Sequence, residues 1–208
     1  MQDDAAAGPL DDPIGDGSQW MSGPPVVVES AVPDSVCDAA VRLLTGDQRR
    51  RSFRGLVDST LRDCHYVEVP EALAERVLGC VLTPAHAHFG VDTAPVPGQP
   101  QLVYRYGPGV GFVTHHDEVT PEEVVRAADS GQPVIRGDLT FLVFLSDAAD
   151  YDGGELYFVS PPREYKCARG SLIVFPATRS FLHGVRPIRG GERITLMLRR
   201  RVLPQSRA

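Results

Sequence analysis

The sequence predicts an α+β domain whose core is a double-stranded β-helix, a jelly-roll or cupin-like wrap of antiparallel strands, with supporting helices N-terminal to it. Two observations carry that reading. Apolar residues in the first half recur at helical spacing, whereas from Gln101 onward short β-branched and aromatic runs are broken by Gly, Pro and Asp clusters. Helices followed by a meander of short strands is the order expected of an α+β fold whose sheets roll up on each other.

Met1 to about Pro25 is rich in Asp, Gly, Pro and Ala with few large apolar groups, too few to offset the entropy of ordering, so residues 1–25 are expected to form a flexible tail. Val26 to Glu29 reads as a short strand. Asp34 or Ser35 can cap a helix carrying Val36, Ala40, Leu43 and Leu44 that Gly46 stops. A second helix is expected from about Pro70 to Phe89, with Leu73, Val77, Leu78, Val81 and Leu82 at helical spacing. Strands are expected at Gln101–Tyr106, Asp138–Ser146, Glu155–Val159, Ser171–Phe175, His183–Pro187 and Arg193–Arg200. The interval from Glu118 to Gln132 is polar and partly helical, with Thr120-Pro-Glu-Glu123 as its start and Ser130-Gly131 as its stop. No internal repeat is visible.

At 208 residues and 42% hydrophobic composition, the chain can bury one sizeable core, so residues 26–208 are expected to form one domain. Its 21 basic and 27 acidic residues give a net charge of −6, which argues against a nucleic-acid partner. No apolar run approaches membrane-spanning length, and the N-terminus is acidic where a secretory signal would be basic and then apolar. A soluble, cytoplasmic protein without a membrane partner is expected; its oligomeric state is not legible. Cys37, Cys64, Cys80 and Cys167 contain no CxxC pair and read as reduced structural thiols. Lys166 is the one lysine among the basic residues, so a strong cationic anchor has to be an arginine.

The chemistry gathers around His115-His-Asp117 and His183. On an extended strand His115 and Asp117 project from one face while His116 points the other way. With His183 they form the two-histidine, one-carboxylate set that binds Fe(II) and leaves coordination positions open. His183-Gly-Val-Arg-Pro-Ile-Arg-Gly-Gly-Glu-Arg193-Ile-Thr195 then reads as a strand, a turn at Gly190-Gly191 and a returning strand that presents Arg193 and Thr195 on one face. Such a hairpin places a planar guanidinium behind the metal, suited to the distal carboxylate of a 2-oxoglutarate that chelates the iron.

These motifs, in this order, resemble the Fe(II)- and 2-oxoglutarate-dependent dioxygenases of the prolyl 4-hydroxylase-like type, especially the bacterial PKHD-type hydroxylases. The resemblance runs from about Tyr104 to Arg200. Its landmarks are Tyr106-Gly-Pro-Gly109, His115-His-Asp117, Arg136-Gly-Asp-Leu-Thr140, Phe144-Leu-Ser-Asp147, Tyr151-Asp-Gly-Gly-Glu-Leu156, Gly170-Ser-Leu-Ile-Val-Phe-Pro176, His183 and Arg193. It implies His115, Asp117 and His183 as iron ligands, Arg193 as the anchor of the distal carboxylate and Thr195 as its hydroxyl partner. Tyr106 is similar to a tyrosine that bonds 2-oxoglutarate near the metal, with Tyr104 on the same strand face as the alternative. Phe144 departs from relatives that carry a tyrosine there, which leaves more of the carboxylate binding to Arg193 and Thr195.

The implied cosubstrates are 2-oxoglutarate and O₂. The implied reaction is hydroxylation of a C–H bond in a small molecule, amino acid or peptidyl residue, giving succinate and CO₂; Asp117 favours this over halogenation, for which relatives replace the carboxylate. Desaturation or ring closure would use the same ligands. A non-catalytic module that binds 2-oxoglutarate or iron, and a nucleic-acid demethylase of the same superfamily, are the alternative readings. His86 and His88 lie roughly 200° apart around a helix and cannot share one ion. The run Arg49-Arg50-Arg51 with Arg54 reads as a solvated charged face before an anion site.

Overall fold

The computed structural model describes residues 21, 23–45, 49–51, 64–130 and 136–203. The first elements are β1 (Val26–Val28), helix α1 (Asp34–Arg42) continued by a 3₁₀ turn (Leu43–Thr45), β2 (Arg49–Arg51), β3 (Cys64–Glu68), helix α2 (Glu71–Phe89) and β4 (Thr93–Pro95). Next come β5 (Leu102–Tyr106), β6 (Phe112–His115), helix α3 (Pro121–Ser130), β7 (Leu139–Phe144), β8 (Tyr151–Gly153) and β9 (Leu156–Phe158). The chain closes with β10 (Arg163–Tyr165), β11 (Leu172–Pro176), β12 (His183–Val185), β13 (Ile188–Gly191) and β14 (Arg193–Val202).

Every strand pairing is antiparallel among the described residues. A major sheet runs β1-β11-β7-β14-β5-β3-β2, with β4 also on β14; a smaller sheet runs β10-β9-β12-β6, and β13 pairs β8. The two sheets enclose Phe112, Phe144, Leu156, Phe158, Ile173, Phe175 and Val185. This is the expected α+β arrangement around a double-stranded β-helix.

The central strands of the major sheet are buried on both faces, which is why they read as nearly unbroken apolar runs. In β7, Leu139, Phe141 and Val143 join Val103, Val174, Leu196 and Leu198 against Val36, Ala40, Val77, Val81 and Ala85 of the helices. Thr140, Leu142 and Phe144 alternate to the other side, toward the smaller sheet. One strand therefore serves two layers: helices outside, chemistry inside.

Helix α2 has the expected extent and ends at Gly90, which is left-handed at φ 65° and donates its N–H to the His86 carbonyl at 2.8 Å. Neither Asp34 nor Ser35 caps α1. The cap position is Pro33, whose ring already sets the extended entry, and Asp34 falls in the first turn. There Asp34 and Asp38 face the Arg169 guanidinium, whose Nη1 also donates to the Leu145 carbonyl at 2.8 Å, so one side chain ties α1 to the sheet.

Short strands β2, β3, β4, β6, β8, β10 and β13 are additions to the expected set. They are three to five residues long, too short to show a period. The four cysteines are free, as expected. Arg49–Arg51 form β2 on the rim of the major sheet; their side chains, Arg54, Gly46, Gly131 and nearly all of the expected tail lie outside the described residues. No described helix is long and apolar enough to cross a membrane.

Phe141 is fully buried between sheet and helices, whereas Val159 is 46% exposed. Phe141→Ala is expected to lower the unfolding free energy by about 3–5 kcal/mol in urea titration. Val159→Ala should stay within about 0.5 kcal/mol. Similar effects for the two would mean that the helix-facing layer is not the core.

Candidate metal centre

His115 ends β6 and His183 begins β12, and the two are direct cross-strand partners in the smaller sheet. Their rings lie 4.3 Å apart between centroids. Phe112 stacks on His115 at 3.8 Å, and Phe175 and Phe158 flank His183 at 4.7 and 5.6 Å, so each imidazole is walled in by aromatic rings. His115 Nδ1 lies 2.9 Å from the Val113 carbonyl and His183 Nδ1 lies 2.8 Å from the Phe181 carbonyl. A carbonyl only accepts, so Nδ1 carries the proton in both rings and both Nε2 lone pairs remain for a metal.

Asp117 lies two residues beyond His115, past the end of β6 rather than on the extended strand the sequence suggested. Its direction is set from the other sheet. Thr140 Oγ1 of β7 donates to Asp117 Oδ2 at 2.6 Å, and Arg199 Nη2 of β14 donates to Oδ1. Asp117 Oδ1 then stands 3.8 Å from His115 Nε2, and Oδ2 stands 3.9 Å from His183 Nε2. The ligand atoms of His115, Asp117 and His183 all lie within 4.8 Å of one another, and His116 stays outside this group.

The electrostatics suit a divalent cation. Burial alone would raise the Asp117 carboxyl, but the Arg199 guanidinium, the two histidines and the Thr140 hydroxyl hold it well below the usual carboxylate range. Burial lowers His183 despite the nearby carboxylate, which leaves the imidazole neutral. Two imidazole nitrogens and one anionic oxygen, enclosed and already oriented, fit Fe(II) by donor type.

Arg193 is 1% exposed at the start of β14, directly across from Tyr106 of β5. Its guanidinium carbon lies 5.6 Å from the Tyr106 ring centre and 5.2 Å from that of Phe144. Thr195, also 1% exposed, shares this face and stands opposite Tyr104 and Phe144. A buried, planar cation beside a hydroxyl and aromatic walls is chemistry for a carboxylate. Tyr104 and Tyr106 are both buried within one apolar cluster with Tyr151 and Ile188.

The expected hairpin from His183 to Arg193 does not form. Strand β12 pairs with β6 and β9 and β14 pairs with β5, β7 and β4, so His183 and Arg193 come from different sheets. The intervening glycine turn leads β13 onto β8, where Gly191 at φ 73° packs so close to the Asp150 carbonyl that a Cβ would lie 2.1 Å from it.

Three site residues escaped the sequence reading. Thr140 had been noted only within a motif. Arg199 was detectable as the same-face continuation of Arg193 and Thr195, four residues beyond the latter. Tyr151, whose phenol burial pushes up and Arg193 draws partly back, comes from β8, and its place at the head of the Tyr151–Leu156 motif gives no sign that it lies beside Arg193. The two helical histidines are structural: His86 Nε2 lies 2.9 Å from Thr93 Oγ1, and His88 packs edge-on against Phe89.

Residues 102–198 match the sequence profile of the 2OG-Fe(II) oxygenase superfamily. A PKHD-type hydroxylase of Shewanella baltica is 34% identical over 127 residues, 60% of this chain and 52% of the relative. One from Paraburkholderia phytofirmans is 39% identical over 106 residues, 49% of this chain and 43% of the relative. The chain thus spans about half the length of the curated relatives it matches. In fold it is similar to the viral collagen prolyl hydroxylase of Paramecium Bursaria Chlorella virus-1, with a TM-score of 0.62 at 18% identity over 88% of this chain and 99% of that one. A Trichoplax adhaerens prolyl hydroxylase solved with a hypoxia inducible factor peptide gives a TM-score of 0.65 at 14% identity, covering 88% of each chain. Residues 102–198 are thus similar in sequence to the 2OG-Fe(II) oxygenase superfamily, whose cofactors are Fe(II), 2-oxoglutarate and O₂, and the fold is similar to that of prolyl hydroxylases.

Proposed function

We propose that this protein is an Fe(II)- and 2-oxoglutarate-dependent dioxygenase that hydroxylates an unactivated C–H bond of a small molecule, amino acid or peptidyl residue. The observation that carries the reading is the convergence of His115, Asp117 and His183, with both Nδ1 atoms held by backbone carbonyls, inside the segment that matches the superfamily. Bound iron, 2-oxoglutarate and O₂ supply the oxidising power, with 2-oxoglutarate leaving as succinate and CO₂.

The chain's own residues bind, orient and enclose. His115 and His183 are held in one tautomer by the Val113 and Phe181 carbonyls, and Asp117 is held by Thr140 and Arg199, so the ligand set needs little rearrangement to load. Arg193 and Thr195 face the same interior and take the distal carboxylate of 2-oxoglutarate, with Tyr106 beside them. Phe112, Phe158 and Phe175 keep water from the ligand rings.

Helix α3 follows Asp117 and begins with a capping box, in which Thr120 N donates to Glu123 Oε2 at 2.8 Å and Glu123 N donates to Thr120 Oγ1 at 3.3 Å. Just before it, Glu118 accepts from the Arg179 backbone and guanidinium, which joins the base of the helix to the loop that leads into His183. Val125 on this helix is 61% exposed, an apolar group without cover. In this reading α3 is a lid that closes on substrate.

The direct test is anaerobic titration with Fe(II) and 2-oxoglutarate, followed by oxygenated screening of metabolites and peptides by mass spectrometry. A gain of about 16 Da, one inserted oxygen, is expected together with succinate. Succinate without any modified product across the library would count against hydroxylation.

Three outcomes follow from the residue roles. His115→Ala, Asp117→Ala and His183→Ala should each lose most bound iron after anaerobic reconstitution, while His116→Ala keeps it. Loss in the His116 variant with retention in the His115 variant would invert the ligand assignment. Arg193→Ala should weaken 2-oxoglutarate binding by about 3–5 kcal/mol with iron retained, and Arg193→Lys should recover part of it. Unchanged affinity in the alanine variant would move the anchor elsewhere. Limited proteolysis should cut between Val119 and Gln132 in the free protein, less with iron and 2-oxoglutarate, and least with substrate. Equal resistance in all three states would make α3 a fixed part of the scaffold.

A further inference from the structure

Arg199 enters the same interior from the major sheet, where it meets Asp117. It lies six residues after Arg193 on β14, on the face shared with Thr195, roughly 20 Å along the strand. It stands directly across from Thr140, and the two side chains hold the two oxygens of Asp117. The two arginines of β14 thus lie at opposite ends of one strand face, Arg193 sealed in and Arg199 with its side chain 18% exposed.

The surroundings of Arg199 are shaped to hold it there. A Cβ on Gly137 would lie 2.7 Å from Arg199 Cβ and 3.3 Å from its Cδ, so the arginine stem lies against a backbone that has room for it only as glycine. Nη2 donates to Asp117, while Nε is buried with no hydrogen-bond partner among the described residues. A guanidinium has five N–H donors, and a buried donor without a partner is costly unless a ligand supplies one.

Charge balance points the same way, resting on the function proposed above. In the loaded site the iron and Arg193 balance the two carboxylates of 2-oxoglutarate and that of Asp117. Arg199 is then one positive charge in excess. A metal ion on Asp117 also draws that carboxylate's charge away from Arg199. An enclosed cation in this position calls for an anion.

The geometry points to Arg199 as the specificity-determining residue of the substrate pocket, binding the carboxylate of a small organic acid such as a free amino acid beside the C–H bond to be oxidised. Its role differs from that of Thr140, which only positions Asp117.

The test compares free L-amino acids and short-chain carboxylic acids with their own primary carboxamides. Binding to the anaerobic protein loaded with Fe(II) and 2-oxoglutarate is followed by calorimetry, and succinate and hydroxylated product are measured once oxygen is admitted. The wild type should prefer at least one acid over its amide by about tenfold or more, the worth of a charge-assisted hydrogen bond. Arg199→Gln, which keeps an N–H donor but no charge, should bring the acid-to-amide ratio near one. Arg199→Lys should retain part of the preference. The ratio is taken within one sample, so partial metal loss in a variant does not alter it.

The proposal is overturned if no acid in the panel is preferred over its amide, if blocked peptides are bound in preference to free acids, or if the preference survives in Arg199→Gln. It is also overturned if that variant loses iron to the same degree as Asp117→Ala, since Arg199 would then only position the ligand. Failure of the wild type to bind Fe(II) and 2-oxoglutarate would instead count against the dioxygenase reading itself.

Discussion

The position of the Asp117 carboxylate is the constraint on which the site depends. Its backbone continues from the smaller sheet, two residues past His115, but its oxygens are held by Thr140 and Arg199 of the major sheet. The metal ligands are therefore brought together only when both sheets are packed, and the aromatic layer between them sets the separation. A buried carboxylate is costly without such partners, so the same hydrogen bonds that orient the ligand make its burial tolerable.

Strand β14 does most of the organising. Leu196, Leu198 and Val202 pack against the helices, and Arg193, Thr195 and Arg199 alternate to the interior. Arg193, Thr195 and Arg199 are thus spaced by the pleat of one strand, and their relative positions are as rigid as its backbone. The strand pairs with β5, β7 and β4 and so sits in the middle of the major sheet, where local opening is least favourable. Precision of this kind suits the proposed roles of these groups, holding a small dicarboxylate and a substrate in fixed relation.

The elements at the rim are built differently. Helix α3 is joined to the site by the capping box and the Glu118–Arg179 pair, both on or near the surface, and it exposes Val125. Exposed ion pairs contribute about 1 kcal/mol or less. That contrast between a firmly paired strand and a lightly held helix is what the proposed lid role of α3 requires.

Much of this was legible in the sequence because it rests on local patterns. The α+β class followed from a change of period along the chain, the long strands from apolar runs, α3 from its capping box, and the ligand candidates from residue type and spacing. Arg193 and Thr195 were legible as same-face neighbours on a strand. The pairing of that strand was not, because a glycine turn between two extended runs has the same local chemistry whether the runs join as a hairpin or part into two sheets; the packing of β12 on β6 and β9 decided it. The supports of Asp117 were likewise invisible. Thr140 and Arg199 lie 23 and 82 residues from it in the chain, and a contact of that separation is set by sheet order rather than by any nearby pattern. The sequence by itself determined which atoms could ligate a metal and which cation could hold a carboxylate, since those are properties of side chains. Only the tertiary structure decided that a second arginine shares their enclosure, since enclosure is a property of packed layers.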